Sequence, residues 1–143
     1  MLIKQISVFV ENKSGRLAEI TSVLADNGID IRALSIADTT DFGILRLIVD
    51  KPDKAEQVLK EAGMTVSLTN VIAIGIPDTP GAFAKAMKVL SDTGIGIEYM
   101  YAFISRDEGR ACVLLRVTDN DEAIAALKRN NIEIFEEEQV YTM

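Results

Sequence analysis

Two short stretches of this chain carry residue types, at a spacing, that could bind a small charged molecule. In E-N-K-S-G-R-L, residues 11–17, Asn12 is followed three positions later by Gly15 and then by the apolar Leu17. D-T-P-G-A-F, residues 78–83, repeats the arrangement with Asp78, Gly81 and Phe83. Glycine lets backbone approach a ligand closely, and the free N–H groups at the start of a following helix attract a carboxylate. Asn12 or Asp78 adds a side-chain acceptor for an ammonium group. The chemistry on offer is reception of a zwitterion. The same residues also suit a plain strand-to-helix turn with Asn, Ser or Asp as the cap.

Covalent and metal chemistry have little to work with. The 143 residues include one cysteine, Cys112, and no histidine. A Ser-His or Cys-His pair and a zinc site of the usual ligands cannot be assembled from one chain. Cys112 lies in the strand-like run A-C-V-L-L-R-V and reads as a small buried hydrophobe. No cofactor is expected, and catalysis is the weakest reading. The carboxylate run Glu136, Glu137 and Glu138 reads as a solvated strand end. The net charge is −7. The first 70 residues hold 8 basic against 10 acidic side chains and the remainder 7 against 12, so neither half is a module for nucleic-acid phosphates. No apolar run approaches the ~20 residues of a membrane span, and M-L-I-K-Q-I-S-V-F-V is soon broken by Glu11 and Lys13, unlike a signal peptide. With a lone cysteine and no disulfide possible, a cytoplasmic protein is expected.

The elements that must position the two stretches come in two copies. At an offset of 66, residues 7–37 overlie 73–103 with eight identities in 31 pairs: Gly15/Gly81, Ala18/Ala84, Val23/Val89, Leu24/Leu90, Asp26/Asp92, Gly28/Gly94, Ile29/Ile95 and Ile31/Ile97. Farther on the offset becomes 68, matching Ala55/Ala123 and Leu59/Leu127, with the shift absorbed near D-T-T-D-F-G and S-R-D-E-G-R. Periodicity predicts strand 2–10, helix 16–27, strands 30–38 and 44–50, a helix from Pro52 to about residue 62, and a strand through Met64, Val66 and Leu68. The second copy predicts strand 71–76, helix 82–93, strands 96–104 and 111–117, helix 121–130 and strand 132–141. The expected class is α+β: two tandem ferredoxin-like βαββαβ units, residues 1–69 and 70–143, each an antiparallel sheet with helices on one face. Units of about 70 residues are marginal alone, so the two are expected to pair side by side.

That fold hosts many functions. Tyr99, Tyr101 and Phe103 alternate on one strand, but in an acidic chain without the basic RNA-binding pattern. D-F-G at 41–43 falls in a hairpin, and G-I-G at 94–96 follows a helix instead of opening one.

The loops carry a resemblance. E-N-K-S-G-R-L, a helix and then G-I-D-I resembles the ACT domain, a regulatory module that binds amino acids. D-T-P-G-A-F, a helix and then G-I-G-I resembles a second copy, so the similarity spans the whole chain. The resemblance implies a ligand where one domain's first loop meets the start of another's second strand. Its loop positions are Asn12, Lys13, Ser14, Gly15, Arg16 and Leu17, then Asp78, Thr79, Pro80, Gly81, Ala82 and Phe83. Its strand-start positions are Asp30 with Ile31, and Gly96 with Ile97. Asp30 would accept from an ammonium group, whereas Gly96 offers backbone alone, and Ser14 stands where the family favours proline. A non-catalytic amino-acid sensor is therefore expected, acting through a protein partner and forming a homodimer. Two alternatives stay open: a regulatory subunit of an amino-acid biosynthetic enzyme, like the small subunit of acetolactate synthase, and a structural dimerisation module without ligand.

Overall fold

The computed structural model describes residues 1–11, 13–38, 42–103 and 109–143. Its elements follow the order β1 (Ile3–Glu11), α1 (Arg16–Asp26), β2 (Ile31–Asp38), β3 (Phe42–Val49), α2 (Pro52–Glu61), β4 (Thr65–Pro77), α3 (Ala82–Asp92), β5 (Ile97–Ala102), β6 (Arg110–Val117), α4 (Asn120–Arg129), β7 (Glu133–Ile134) and α5 (Glu137–Thr142). Two compact units result. The first is Lys4–Thr69 with Thr142, and the second is Met1–Ile3, Asn70–Tyr141 and Met143. Both are α+β units of the βαββαβ kind with antiparallel strands.

In the first unit β3 lies between β1 and β2, with Val8 opposite Leu45 and Leu34 opposite Leu47. Alternation along the strands turns Ile6, Val8, Leu45, Leu47 and Val49 to one face, where they meet Ile20 and Leu24 of α1 and Ala55 and Leu59 of α2. α1 takes this role because its apolar residues recur at helical spacing, and it packs against α2. Leu24 and Leu59 are wholly buried, each worth roughly 1.5–3 kcal/mol of transfer free energy.

The second unit repeats the plan. β6 lies between β4 and β5, and β7 pairs with β4 on its other side. Ile72, Ile74, Val113, Leu115 and Val117 pack on Leu90 of α3 and on Ala123 and Leu127 of α4. The correspondence reaches details. A register shift interrupts the ladder between Ile31 and Ala33, and again between Ile97 and Tyr99, 66 residues on. Cys112 is buried, and the rings of Tyr99 and Tyr101 stack 6.5 Å apart.

Two expectations are corrected. The strands expected at 64–68 and 71–76 are one 13-residue strand, β4, because Thr69 and Asn70 include no glycine or proline to interrupt it. The expected strand 132–141 shrinks to the two residues of β7 and is followed by α5. Glu136 is not a strand end: its side chain caps the backbone of Gln139 while the Gln139 side chain accepts from the Glu136 N–H at 2.8 Å. This reciprocal cap turns the acidic run into a helix start, where Glu137 and Glu138 also suit the positive end of the helix dipole. No helix among the described residues is long and apolar enough to cross a membrane.

Candidate functional site

Both first loops are built alike. The Arg16 N–H donates to the Lys13 carbonyl at 3.3 Å, and the Ala82 N–H to the Thr79 carbonyl at 3.3 Å. Gly15 has φ 88° and ψ −8°, Gly81 φ 87° and ψ −13°. These are the values of the third residue of a type II turn, which requires positive φ and therefore glycine. Proline is favoured at the second position of such a turn. Pro80 occupies it in one loop and Ser14 in the other. The glycine is also the N-cap: α1 begins with the Glu19 N–H on the Gly15 carbonyl, and α3 with the Lys85 N–H on the Gly81 carbonyl, both at 3.0 Å. Among the described residues neither helix start has a side-chain cap, which corrects the reading of Ser14 and Asp78 as caps. The first N–H groups of each helix are left for another acceptor. Asn12 lies outside the described residues.

A hollow of about 280 Å³ opens beside the first of these turns. Lys13, Gly15, Arg16 and Leu17 line it together with Val10, Glu11, Ile36, Gly43, Ile44 and Leu45. Leu17 and Ile36 remain 41% and 46% exposed, so its apolar wall faces solvent. Its polar rim is a chain of ion pairs: Lys13 to Glu11 at 2.9 Å, Arg16 to Glu11 at 3.6 Å and Arg16 to Glu19 at 3.0 Å. The hydrogen bond from Lys13, followed by the attraction of Lys13 and Arg16, holds the Glu11 carboxyl below its ordinary 4.5. Glu11 therefore stays an anion next to the turn.

The strand starts lie elsewhere in each unit. Val10 pairs with Gly43 at the loop end of the first sheet, whereas Ile31 pairs with Val49. Val49 lies six positions along the strand from Gly43, roughly 20 Å. In the second unit Pro77 pairs with Arg110 and Ile97 with Val117, a comparable distance. The hollow and the strand start at Asp30 and Ile31 are therefore separate places within the first unit. Both strand starts are clasped in the same way. The Asp30 N–H donates to the Asp50 side chain at 2.9 Å, and the Gly96 N–H to the Thr118 hydroxyl at 3.2 Å. The Asp50 and Thr118 N–H groups donate back to the Asp30 and Gly96 carbonyls. The Asp30 carboxylate is largely exposed and sits 3.4 Å from Arg32.

A family model described as an ACT domain pair matches residues 1–143. The chain belongs to the ACT domain-pair family. Protein BT0572 from Bacteroides thetaiotaomicron has a crystal structure that matches this ACT pair with a TM-score of 0.94 and 43% identity, over 100% of this chain and 98% of that one. The ligand-free regulatory subunit of aspartate kinase from Thermus thermophilus matches at a TM-score of 0.64 and 21% identity, over 91% and 94% of the two chains. Its counterpart from Thermus flavus matches at 0.62 and 20%, over 87% and 88%. At those identities the last two carry the fold alone. No protein with a curated description matches the chain.

Within this ACT pair, Asp78, Thr79, Pro80 and Gly81 form the exposed second turn, with the Asp78 N–H on the Gly109 carbonyl at 2.9 Å. Phe83 is 41% exposed, the counterpart of Leu17. Ala82 lines a different hollow, of about 420 Å³, with Gly75, Ile76, Pro77, Lys85, Ala86, Gly109, Arg110, Asn131, Ile132 and Glu133. Sequence reasoning missed Glu11, Ile36 and Gly43–Leu45. They come to the first loop through the β1–β3–β2 pairing, and the alternation of Leu34 with Ile36 was the one local sign of an apolar face there.

Proposed function

We propose that this ACT pair is a non-catalytic regulatory module that binds a free amino acid at its first loop and passes the bound state to a partner protein. The observation that carries this reading is the hollow beside the first turn, where the start of α1 has no side-chain cap among the described residues and Glu11 is held as an anion. The ligand carboxylate takes the free helix N–H groups, and its ammonium group takes Glu11. The side chain lies on Leu17 and Ile36. Asp30, Ile31, Gly96 and Ile97 join such a site when a different unit presents them. The coupling to a partner is linkage: a partner that prefers the liganded arrangement is favoured by the same free energy, typically ~1–3 kcal/mol. A homodimer and a metabolic enzyme as partner are part of this proposal.

A thermal-shift screen of the whole chain against the twenty amino acids tests it. Ligand at a hundred times its dissociation constant adds about 2.7 kcal/mol and raises the melting temperature by several degrees. One chemically coherent group of hits, lost in Gly15→Ala, is the expected result. A flat screen of a folded protein would sink the amino-acid reading and leave a structural module.

A further inference from the structure

The hollow lined by Ala82 has a counterpart in the first unit. Phe9, Val10, Glu11, Arg16, Ile20, Phe42, Gly63, Met64 and Thr65 line a hollow of about 150 Å³. At the repeat offsets of 66 and 68, each of these corresponds to a residue lining the 420 Å³ hollow of the second unit. The same place in the fold is thus a small hollow in one copy and a larger one in the other. Three lining residues are smaller in the second unit: Phe9 becomes Gly75, Arg16 becomes Ala82 and Ile20 becomes Ala86.

The lining also changes in charge. Phe42 becomes Arg110, Thr65 becomes Glu133, and Lys85 joins the lining where its counterpart Glu19 does not line the first hollow. Arg110 and Glu133 form an ion pair, and the Arg110 guanidinium lies 4.8 Å from the centre of the Phe135 ring. Gly75 makes room for this wall: a Cβ there would stand 2.6 Å from Glu133 Oε2 and 3.1 Å from Phe135 Cζ. The Lys85 ammonium group has no hydrogen-bond or ion-pair partner among the described residues, and Lys85 lines the hollow. The remaining walls, Ile76, Ala86 and Ile132, are apolar.

We infer that this second-unit hollow is a binding site for a small carboxylate with an apolar tail, the carboxylate on Lys85 and the tail between Ile76, Ala86 and Ile132. The site is separate from the hollow at the first loop and goes beyond the function proposed there. An α-amino acid and a 2-oxo acid share this chemistry. Glu133 would add an acceptor for the ammonium group of the former.

The test is a titration of the full ¹⁵N-labelled chain with leucine, 4-methyl-2-oxopentanoate and 4-methylpentanoate at millimolar concentration. The amide signals of Ala82, Lys85, Ile132 and Glu133 are expected to shift with at least one probe. Lys85→Glu, which restores the first unit's charge on an exposed helix face, should weaken that response by about tenfold or more. Ala86→Ile, which restores the first unit's bulk, should abolish it, while Gly15→Ala leaves it in place. A response to leucine alone identifies an amino acid that uses Glu133. A response to all three shows that carboxylate and tail suffice. No shift at these amides with any probe would overturn the inference, as would a response of unchanged strength in Lys85→Glu. Because Gly15→Ala acts only at the first loop, this outcome is distinguishable from failure of the amino-acid reading.

Discussion

The first and second units share a backbone down to the type II turn, the bulge and the clasp at the second strand, yet differ in what occupies the space beside the first helix of each. In the first unit Arg16 stands between Glu11 and Glu19, and Arg16, Ile20 and Phe9 line a smaller hollow. In the second unit Pro77, Ala82 and Lys85 replace that ion-paired cluster, and Ala86 and Gly75 leave the space open. The difference teaches that the scaffold and the site are encoded separately. Turn, bulge and clasp need only a glycine, a register and one acceptor side chain. The recognition surface follows from side-chain volume and charge at positions the scaffold does not constrain, so a duplicated unit can diversify without refolding.

The largest effects should come from breaking the parts that are alike. Leu59 and Leu127 are equivalent, wholly buried residues of α2 and α4. Leu59→Ala and Leu127→Ala should each cost about 2–5 kcal/mol, because each removes buried methyl groups and leaves a gap. Amide exchange read on β3 for the first and on β6 for the second would show the loss in the unit that carries the substitution. A cost below about 1 kcal/mol in one unit alone would mean that its core relaxes around the gap, and the likeness of the two cores would fail.

Next come the turns. Gly15→Ala and Gly81→Ala place a side chain at positive φ, and each should cost about 1–2 kcal/mol although open space surrounds both positions. Equal costs in chemical denaturation would confirm that the strain is purely conformational. Ser14→Pro sharpens the comparison in the other direction. It brings the first turn to the composition of the second, and should raise stability by about 0.4–1 kcal/mol by narrowing the unfolded ensemble.

How much of this was legible in the sequence follows from the same separation. Gly15 with Gly81, Leu24 with Leu90 and Ile31 with Ile97 recur at a fixed offset, and so the duplicated βαββαβ plan could be read from letters alone. α5 was missed because an acidic run was weighed by charge and not by the Glu136–Gln139 spacing that caps a helix. The length of β4 was missed because two copies invite a break between them, although Thr69 and Asn70 provide none. The loop residues were legible as a motif. Their neighbours Glu11, Ile36 and Leu45 were not, since strand pairing joins residues with no local signature. The larger hollow of the second unit was hidden for a related reason: Ile20 and Ala86 can be aligned by eye, but only the fold places Phe9, Arg16 and Ile20 around one space.

A smaller difference separates the second helices. Asp119 caps α4 by accepting from the Glu122 N–H at 3.0 Å, whereas its counterpart Lys51 gives α2 no side-chain cap and donates instead to the Gly28 carbonyl at 2.7 Å. Asp119→Ala should cost about 1 kcal/mol and fray the first turn of α4. Faster amide exchange at Glu122 and Ala123, with α2 unchanged, is the expected reading. An unchanged rate at both would mean that packing of Ala123 alone holds the helix start.

The smallest effect should be the dependence on pH that Glu11 brings to the first unit, where the second has Pro77. The folded chain holds Glu11 below its ordinary 4.5, mainly through the hydrogen bond from Lys13 and then through the charges of Lys13 and Arg16. In the interval between the folded and unfolded values the unfolded chain binds more protons, so stability rises with pH there. The contribution is complete above about 4.5 and is lost as pH falls through the folded value. Glu11 is exposed, so solvent screens the pairs and the effect is slight. Melting temperatures of the chain and of Glu11→Gln, compared on either side of that interval, should differ above it and converge below it. A difference that persists at the acid end would trace to packing of the side chain and not to its charge, and the ion-paired rim would then contribute nothing to holding the first loop.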